Sequence, residues 1–249
     1  MEHGLRGKAA LVGGASRGIG RAIVRRLVAE GMQVLGVARG GCDVPGAIGL
    51  AADLRDPAAP AEAVARAVRD FGRLDLLVNS AGATQRGDFL ALDDAAWMDG
   101  YAGKFFAAIR LTRAAWPHLR ASQGSVVQIA GAGGRVASAD FTIGGSVNAA
   151  LMNLTKALAD RGVQERVRVN CINPGSIRTD RLAGRIAAAM REHGLDETGA
   201  AEFLARSAGV ARFGTPEEIA AAVAFLAGAE AGYIQGAILD VDGGWIRAV

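Results

Sequence analysis

A glycine-spaced turn between an apolar strand and an amphipathic helix constrains this chain more than any other feature. Residues 11–20 read Leu-Val-Gly-Gly-Ala-Ser-Arg-Gly-Ile-Gly. Before them, Lys8–Gly13 is a short apolar run. After them, Ile19–Glu30 carries Ile19, Ile23, Leu27 and Val28 at helical spacing, and Gly31 stops it. Gly14, Gly18 and Gly20 permit a tight turn and let an anion approach the backbone. The helix N-terminus adds free N–H groups and a favourable dipole.

The rest of the chain repeats this alternation. Gln33–Val37, Ala47–Ala52, Leu74–Asn79, Ser125–Ile129, Val167–Ile172 and Ala237–Val241 read as strands. Pro57–Phe71, Trp97–Leu119, Ser146–Arg161 and Pro216–Leu226 read as helices, the last with Thr215 as N-cap and the first with Pro near its start. Residues 178–208 read as a mobile helical insertion. Strands alternating with helices imply a parallel sheet covered on both faces. The expectation is a single α/β domain over residues 1–249, a Rossmann-type doubly wound sheet of about seven strands.

Composition removes several function classes. Apolar residues make up 51% of 249, enough for one continuous core. Net charge is +3, without a dense Lys/Arg run or basic–aromatic interleaving, so no nucleic-acid partner is expected. Cys42 and Cys171 are too few for a disulfide framework, and His3, His118 and His193 lack metal-ligand spacing. No uncharged stretch reaches the roughly 18 apolar residues of a membrane span. The first strand begins by about Lys8, which leaves no room for a signal peptide. A soluble, cytoplasmic protein is expected.

Further motifs follow in order: Asp53-Leu54 after the third strand, Asn79-Ser80-Ala81-Gly82 after the fourth, Asn173-Pro174-Gly175-Ser176-Ile177-Arg178-Thr179, then residues 212–220, then Asp242-Gly243-Gly244. Together with the first turn they resemble the short-chain dehydrogenase/reductase family over almost the whole chain. That resemblance implies a dinucleotide held by Gly14, Ser16, Arg17, Gly18, Ile19, Gly20, Arg39, Asp53, Leu54, Asn79, Ala81, Gly82, Asn148, Pro174, Gly175, Ile177 and Thr179. Ala38 stands where an acid would select NAD, and Arg39 follows it. Arg17 and Arg39 suit a ribose 2′-phosphate, so NADP(H) is favoured over NAD(H). The alternative is that both are solvated surface arginines.

The family's chemistry needs a Tyr-x-x-x-Lys pair, a Ser thirteen residues before the Tyr, and an Asn on the preceding long helix. Flanking matches put Gly131 at the Ser, Gly144 at the Tyr and Asn148 at the Lys, with the usual thirteen-residue interval. The Asn position, seven residues after Trp97, holds Lys104. All four positions are therefore substituted, and the cation and the amide stand exchanged. Either Lys104 keeps a cation in the pocket, or it is a surface or interface residue. Candidate acids are Lys104, Asp140 if desolvation raises its pKa, and Thr142, a poor one. Ser146 is expected to cap or pack the start of its helix.

Three functions remain open. They are an NADP(H) oxidoreductase with a rearranged acid, a non-catalytic nucleotide- or partner-binding protein, and a cofactor-independent lyase, isomerase or hydrolase. Ordinary carbonyl reduction is expected to be weak or absent. The ligand is a small molecule of unknown identity. The resemblance implies a homotetramer or homodimer through the two long helices.

Overall fold

The computed structural model describes residues 3–247, Arg181 by its backbone alone. Seven strands form one wholly parallel sheet: β1 (Ala9–Gly13), β2 (Gln33–Ala38), β3 (Ile48–Ala51), β4 (Leu76–Asn79), β5 (Ser125–Ile129), β6 (Arg168–Pro174) and β7 (Ile238–Val241). Their order is β3-β2-β1-β4-β5-β6-β7. The direction of winding reverses between β1 and β4. In such sheets ligands bind beyond the carboxyl ends of the strands at that reversal.

Because side chains alternate across a strand, each strand feeds two cores. Val12, Val78, Val127 and Ile172 meet Ile23 and Leu27 of α1 (Gly18–Ala29) and Ile219 and Val223 of α8 (Pro216–Ala227). On the other face Leu11, Leu77, Val126 and Val169 meet Val64 of α2 (Ala59–Phe71) and Leu111 and Leu119 of α4 (Ala107–Ser122). The alternation in the sequence thus gives the doubly wound domain it implies.

Several boundaries differ from the sequence expectation. The helix expected over Trp97–Leu119 is three segments: α3 (Asp94–Gly100), a π-helical stretch Tyr101–Phe106, and α4. Asp93 caps α3, its carboxylate accepting from the Ala96 N–H at 2.9 Å. Pro117 lies inside α4, which continues to Ser122. The helix expected from Ser146 begins a turn earlier, as α5 (Thr142–Glu165). Ser146 is therefore no cap; its hydroxyl donates back to the Ile143 carbonyl at 2.9 Å. The segment after β6 holds α6 (Asp180–His193) and α7 (Glu197–Ser207), which share a small core of Leu182, Ile186, Ala200, Ala205 and Phe213. Thr215 caps α8 as expected, within a capping box closed by Glu218.

Asp75 ties the N-terminal edge of the sheet. Its buried carboxylate accepts from the Ala9 N–H at 2.8 Å and from both arms of Arg73 at 2.8 and 2.6 Å. Asp75→Ala leaves a buried donor without a partner. It is expected to lower the unfolding free energy by about 1–3 kcal/mol in urea titration. A change within experimental error would show that water replaces the carboxylate.

Candidate active site

The turn after β1 is shaped by what glycine lacks. Gly14 has φ +82°, and a Cβ there would lie 2.7 Å from the backbone of Ala81 after β4. A Cβ on Gly20 would meet the Gly14 carbonyl oxygen at 2.0 Å. The turn therefore packs against the exit of β4, with α1 folded tightly onto it. At the start of α1 the Arg17 side chain makes no capping bond, and the first turn holds no acid. The positive end of that helix is left for an external anion. Gly18, at φ +51°, faces Thr179 across the cleft, its missing Cβ 3.2 Å from the Thr179 methyl carbon. These features fit the pyrophosphate of a dinucleotide.

Most of the other expected cofactor residues follow the carboxyl ends of the strands. Ser16 is half-buried, Arg17, Arg39 and Asp53 are exposed, and Leu54 is buried against Gly13. Ile19 packs on the core under α1. Arg39 lies close enough to Asp99 to help lower its carboxyl below the usual range, after the larger effect of the Arg55 hydrogen bond. Arg55 donates to Asp99 at 2.7 and 3.2 Å, and its guanidinium rests on Gly103. Asn79 is buried, donates to Thr112 Oγ1 at 3.0 Å, and has an Oδ1 with no hydrogen-bond partner among the described residues. Pro174 and Ile177 are buried, and Gly175 gives way to Asp242, 2.7 Å from where a Cβ would stand.

The four exchanged positions converge beyond β4 and β5. Lys104, half-buried on the π-helical stretch, donates to Asn148 Oδ1 at 2.6 Å and to the Ala130 carbonyl at 2.8 Å. Its stem runs over Gly82, where a Cβ would meet Lys104 Cβ at 2.5 Å. Gly82, at φ +116°, thus makes room for the lysine as well as for the turn. Gly131 abuts the same amide, its missing Cβ 2.8 Å from Asn148 Nδ2. The Lys104 ammonium is bonded directly to the Asn148 amide.

Gly144 is explained by a residue that the sequence did not single out. The Phe141 ring lies so that its Cζ is 2.1 Å, and Cε2 2.2 Å, from where a Gly144 Cβ would be. Thr84 Oγ1 is 2.6 Å from the same point. Asn173, buried on β6, belongs to the Asn-Pro-Gly motif, which assigns it no role of its own. It accepts from the Gly131 N–H at 3.0 Å and donates to Asp240 at 2.7 Å, so it fixes the loop after β5. Its place in the Asn-Pro-Gly turn was the available signal.

Asp140 does not suit the role of a raised-pKa acid. It is exposed, and hydrogen bonds from the Ser138 hydroxyl and then the Arg86 guanidinium hold its carboxyl below the usual range. The Thr142 hydroxyl is buried with no hydrogen-bond partner among the described residues. Burial pushes the Cys171 thiol up to about 11, which leaves it a poor nucleophile. Neither cysteine is in a disulfide. No helix of the described residues is long and apolar enough to cross a membrane.

A parallel sheet reversing at β1/β4, with a glycine turn and an uncapped helix start at that point, defines a Rossmann-type α/β domain. A family model described as "Enoyl-(Acyl carrier protein) reductase" matches residues 14–246. The short-chain reductase protein NovJ of Streptomyces niveus is 35% identical, over 94% of this chain and 92% of its own. The 3-oxoacyl-[acyl-carrier-protein] reductase FabG of Escherichia coli is 34% identical, over 96% and 97%. The structure of L-sorbose reductase from Gluconobacter frateurii, solved with NADPH and L-sorbose, superposes with a TM-score of 0.92 at 30% identity, covering all of both chains. The chain belongs to the short-chain dehydrogenase/reductase family of oxidoreductases.

Gly144→Ala gives a sharp check of the packing at the exchanged site. Alanine in place of glycine within a helix ordinarily stabilises by about 1 kcal/mol. Here the Phe141 ring and Thr84 occupy the space, so the substitution is expected to destabilise by about 1–3 kcal/mol. In a Phe141→Ala background the loss should shrink. Equal losses in both backgrounds, read from urea midpoints, would dissociate the two residues.

Proposed function

We propose that this protein binds NADP(H) and acts as an oxidoreductase-type domain whose ordinary carbonyl reduction is weak, because its proton-donating pair has been replaced. The Lys104–Asn148 contact at 2.6 Å carries this reading. The cation and the amide that the family's pocket uses are both present, with their positions exchanged. No phenol lies at residue 144, where Phe141 fills the adjoining space.

A bound NADPH would supply hydride to a substrate carbon. The turn Gly14–Gly20 and the N-terminus of α1 would hold its pyrophosphate. Arg17 and Arg39 would take the 2′-phosphate, Asp53 and Leu54 would border the adenine, and Asn79, Ala81 and Gly82 would line the floor. Pro174, Gly175, Ile177 and Thr179 would border the nicotinamide. Asn148 would present its amide to the nicotinamide ribose while accepting from Lys104, which would supply positive charge beside it. The NADPH- and NADP-bound relatives support this cofactor assignment. The described residues place no acid at position 38 to oppose a 2′-phosphate. The exposed Phe106 and Val163, on the two long helical segments, support assembly as a homodimer or homotetramer through those helices.

Two measurements test the reading. Arg39→Ala should weaken NADPH in fluorescence titration by about 1.5–3 kcal/mol, the value of a charge-assisted phosphate contact, and leave NADH unchanged. Unaltered NADPH affinity would remove the 2′-phosphate assignment. Without an acid matched to the forming alkoxide, turnover of simple ketones should fall below the common enzyme range by about 10²–10⁴-fold. A kcat near about 10 s⁻¹ on such a ketone would refute the weak-reduction reading. Tight NADPH binding with no turnover on a broad carbonyl and alcohol panel would favour a nucleotide-binding role without redox chemistry.

Lys104→Met keeps much of the stem but deletes the charge. It should raise the NADPH dissociation constant several-fold and lower stability by about 1.5–3 kcal/mol, since Asn148 Oδ1 and the Ala130 carbonyl lose a charged donor. Wild-type values for both would sever Lys104 from the site.

A further inference from the structure

Two loops meet beside the Lys104–Asn148 contact, and one side chain from each forms an exposed ion pair. Arg86, from the loop after β4, donates to Asp140 Oδ2 at 2.7 Å; Asp140 lies in the loop after β5. The Gly87 N–H donates to the Asp140 carbonyl at 3.1 Å, so the loops are also joined through the backbone. The other carboxylate oxygen, Oδ1, accepts from the Ser138 hydroxyl. Arg86 lies over the Phe141 ring, its Cζ 4.1 Å from the centroid. The tip of that ring is the group pressed against Gly144, and its edge lies 2.8 Å from where a Gly133 Cβ would stand. That same point is 3.9 Å from Asn148 Nδ2. Arg86 is thus one aromatic ring away from the amide that holds Lys104.

We propose that Arg86 and Ser138 form a subsite for an organic carboxylate at the mouth of the pocket, and that Asp140 occupies it as an internal stand-in. The Asp140 carboxylate already has the partners that an external one would need: a guanidinium N–H on one oxygen and a hydroxyl on the other. Yet the arginine and aspartate side chains are 51% and 58% exposed, and pairs so exposed are worth little. An external carboxylate whose body lies against Phe141 gains apolar contact that Asp140 does not offer, and so displaces it. Lys104, deeper in the pocket, adds a second positive charge to the field that attracts the ligand. A single guanidinium beside one hydroxyl fits the two oxygens of a carboxylate better than a doubly charged phosphate.

The subsite deepens the function proposed above by naming a ligand class for the same pocket, and it rests on that reading for the pocket's role. Its test is a binding measurement that needs no turnover. Benzoate and its neutral isostere benzamide are titrated by calorimetry into the full chain, with and without saturating NADPH. Benzoate should bind the wild-type protein, and benzamide at least tenfold more weakly. Arg86→Gln should lose tenfold or more for benzoate. Asp140→Asn, which weakens the internal competitor, should bind benzoate about two- to fivefold more tightly, the fold-change equivalent of an exposed ion pair. A gain of affinity on removing a charge cannot come from misfolding, so this variant keeps the proposal falsifiable if Arg86→Gln is unstable. Equal affinity for benzoate and benzamide, an unchanged Arg86→Gln, a benzoate affinity in Asp140→Asn no tighter than wild type, or no benzoate binding at all would each overturn the subsite. Loss of NADPH binding with these benzoate responses intact would overturn the cofactor reading and leave the subsite standing.

Discussion

Neither Gly14 nor Gly20 has space for a side chain, and the site is built on that exclusion. The backbone after β1 lies against Ala81 after β4, and α1 turns back so closely that Gly20 touches the Gly14 carbonyl. This contact draws together the two strands between which the sheet reverses direction. It also aims the start of α1 along the cleft. The same helix packs Ile23 and Leu27 under the sheet beside α8, so the cleft is braced by one of the main cores. A methyl group at either glycine would part the turn from β4 and tilt the helix that closes that core.

Around this rigid floor the side chains are packed in mutually dependent pairs. Lys104 needs Gly82 for its stem and Asn148 for its charge. Phe141 needs Gly144 and Gly133 for its ring. Asn173 steadies Gly131 and is itself held by Asp240, which Arg135 approaches at 3.4 Å. Each replacement is legible only beside its partner, as expected where cores and pockets are close-packed and a group cannot be added without one being removed.

How far the sequence could be read follows from how local each signal is. The sheet was legible because buried parallel strands show as short apolar runs and glycine turns punctuate them. The capping box at Thr215 was half legible, from Thr and Pro alone. The convergence of Gly131, Gly144, Asn148 and Lys104 could be anticipated by position, but the direction in which Lys104 points could not. Its helix changes pitch at Tyr101, and no residue pattern announces a π-helical stretch. Phe141 and Arg86 were overlooked because they lie on loops, where no periodicity marks an inward-facing residue. Their significance depends on contacts across 54 residues of chain, between Arg86 and Asp140. Asp140 illustrates the converse error: an acid between a strand and its helix invites a buried role, whereas the fold leaves it at the surface between two donors.

The π-helical stretch Tyr101–Phe106 carries a consequence for how such a chain tolerates change in length. A π turn holds more residues than an α turn, so this segment stores slack within an otherwise regular rod. Removing one residue there would let the rod close into a continuous α-helix. A π turn closes about the same angle as an α turn but with one residue more, so the segments on either side would keep their facing while the residues inside the stretch would shift position. Lys104 sits inside the slack, with Arg55 clasping Asp99 before it and the Arg110 guanidinium bonded to the Arg55 carbonyl after it. The two clasps fix both ends of the rod to the same short loop. The loss of a residue would therefore fall on the slack itself, and the lysine inside it would be carried off the amide by the change in winding alone.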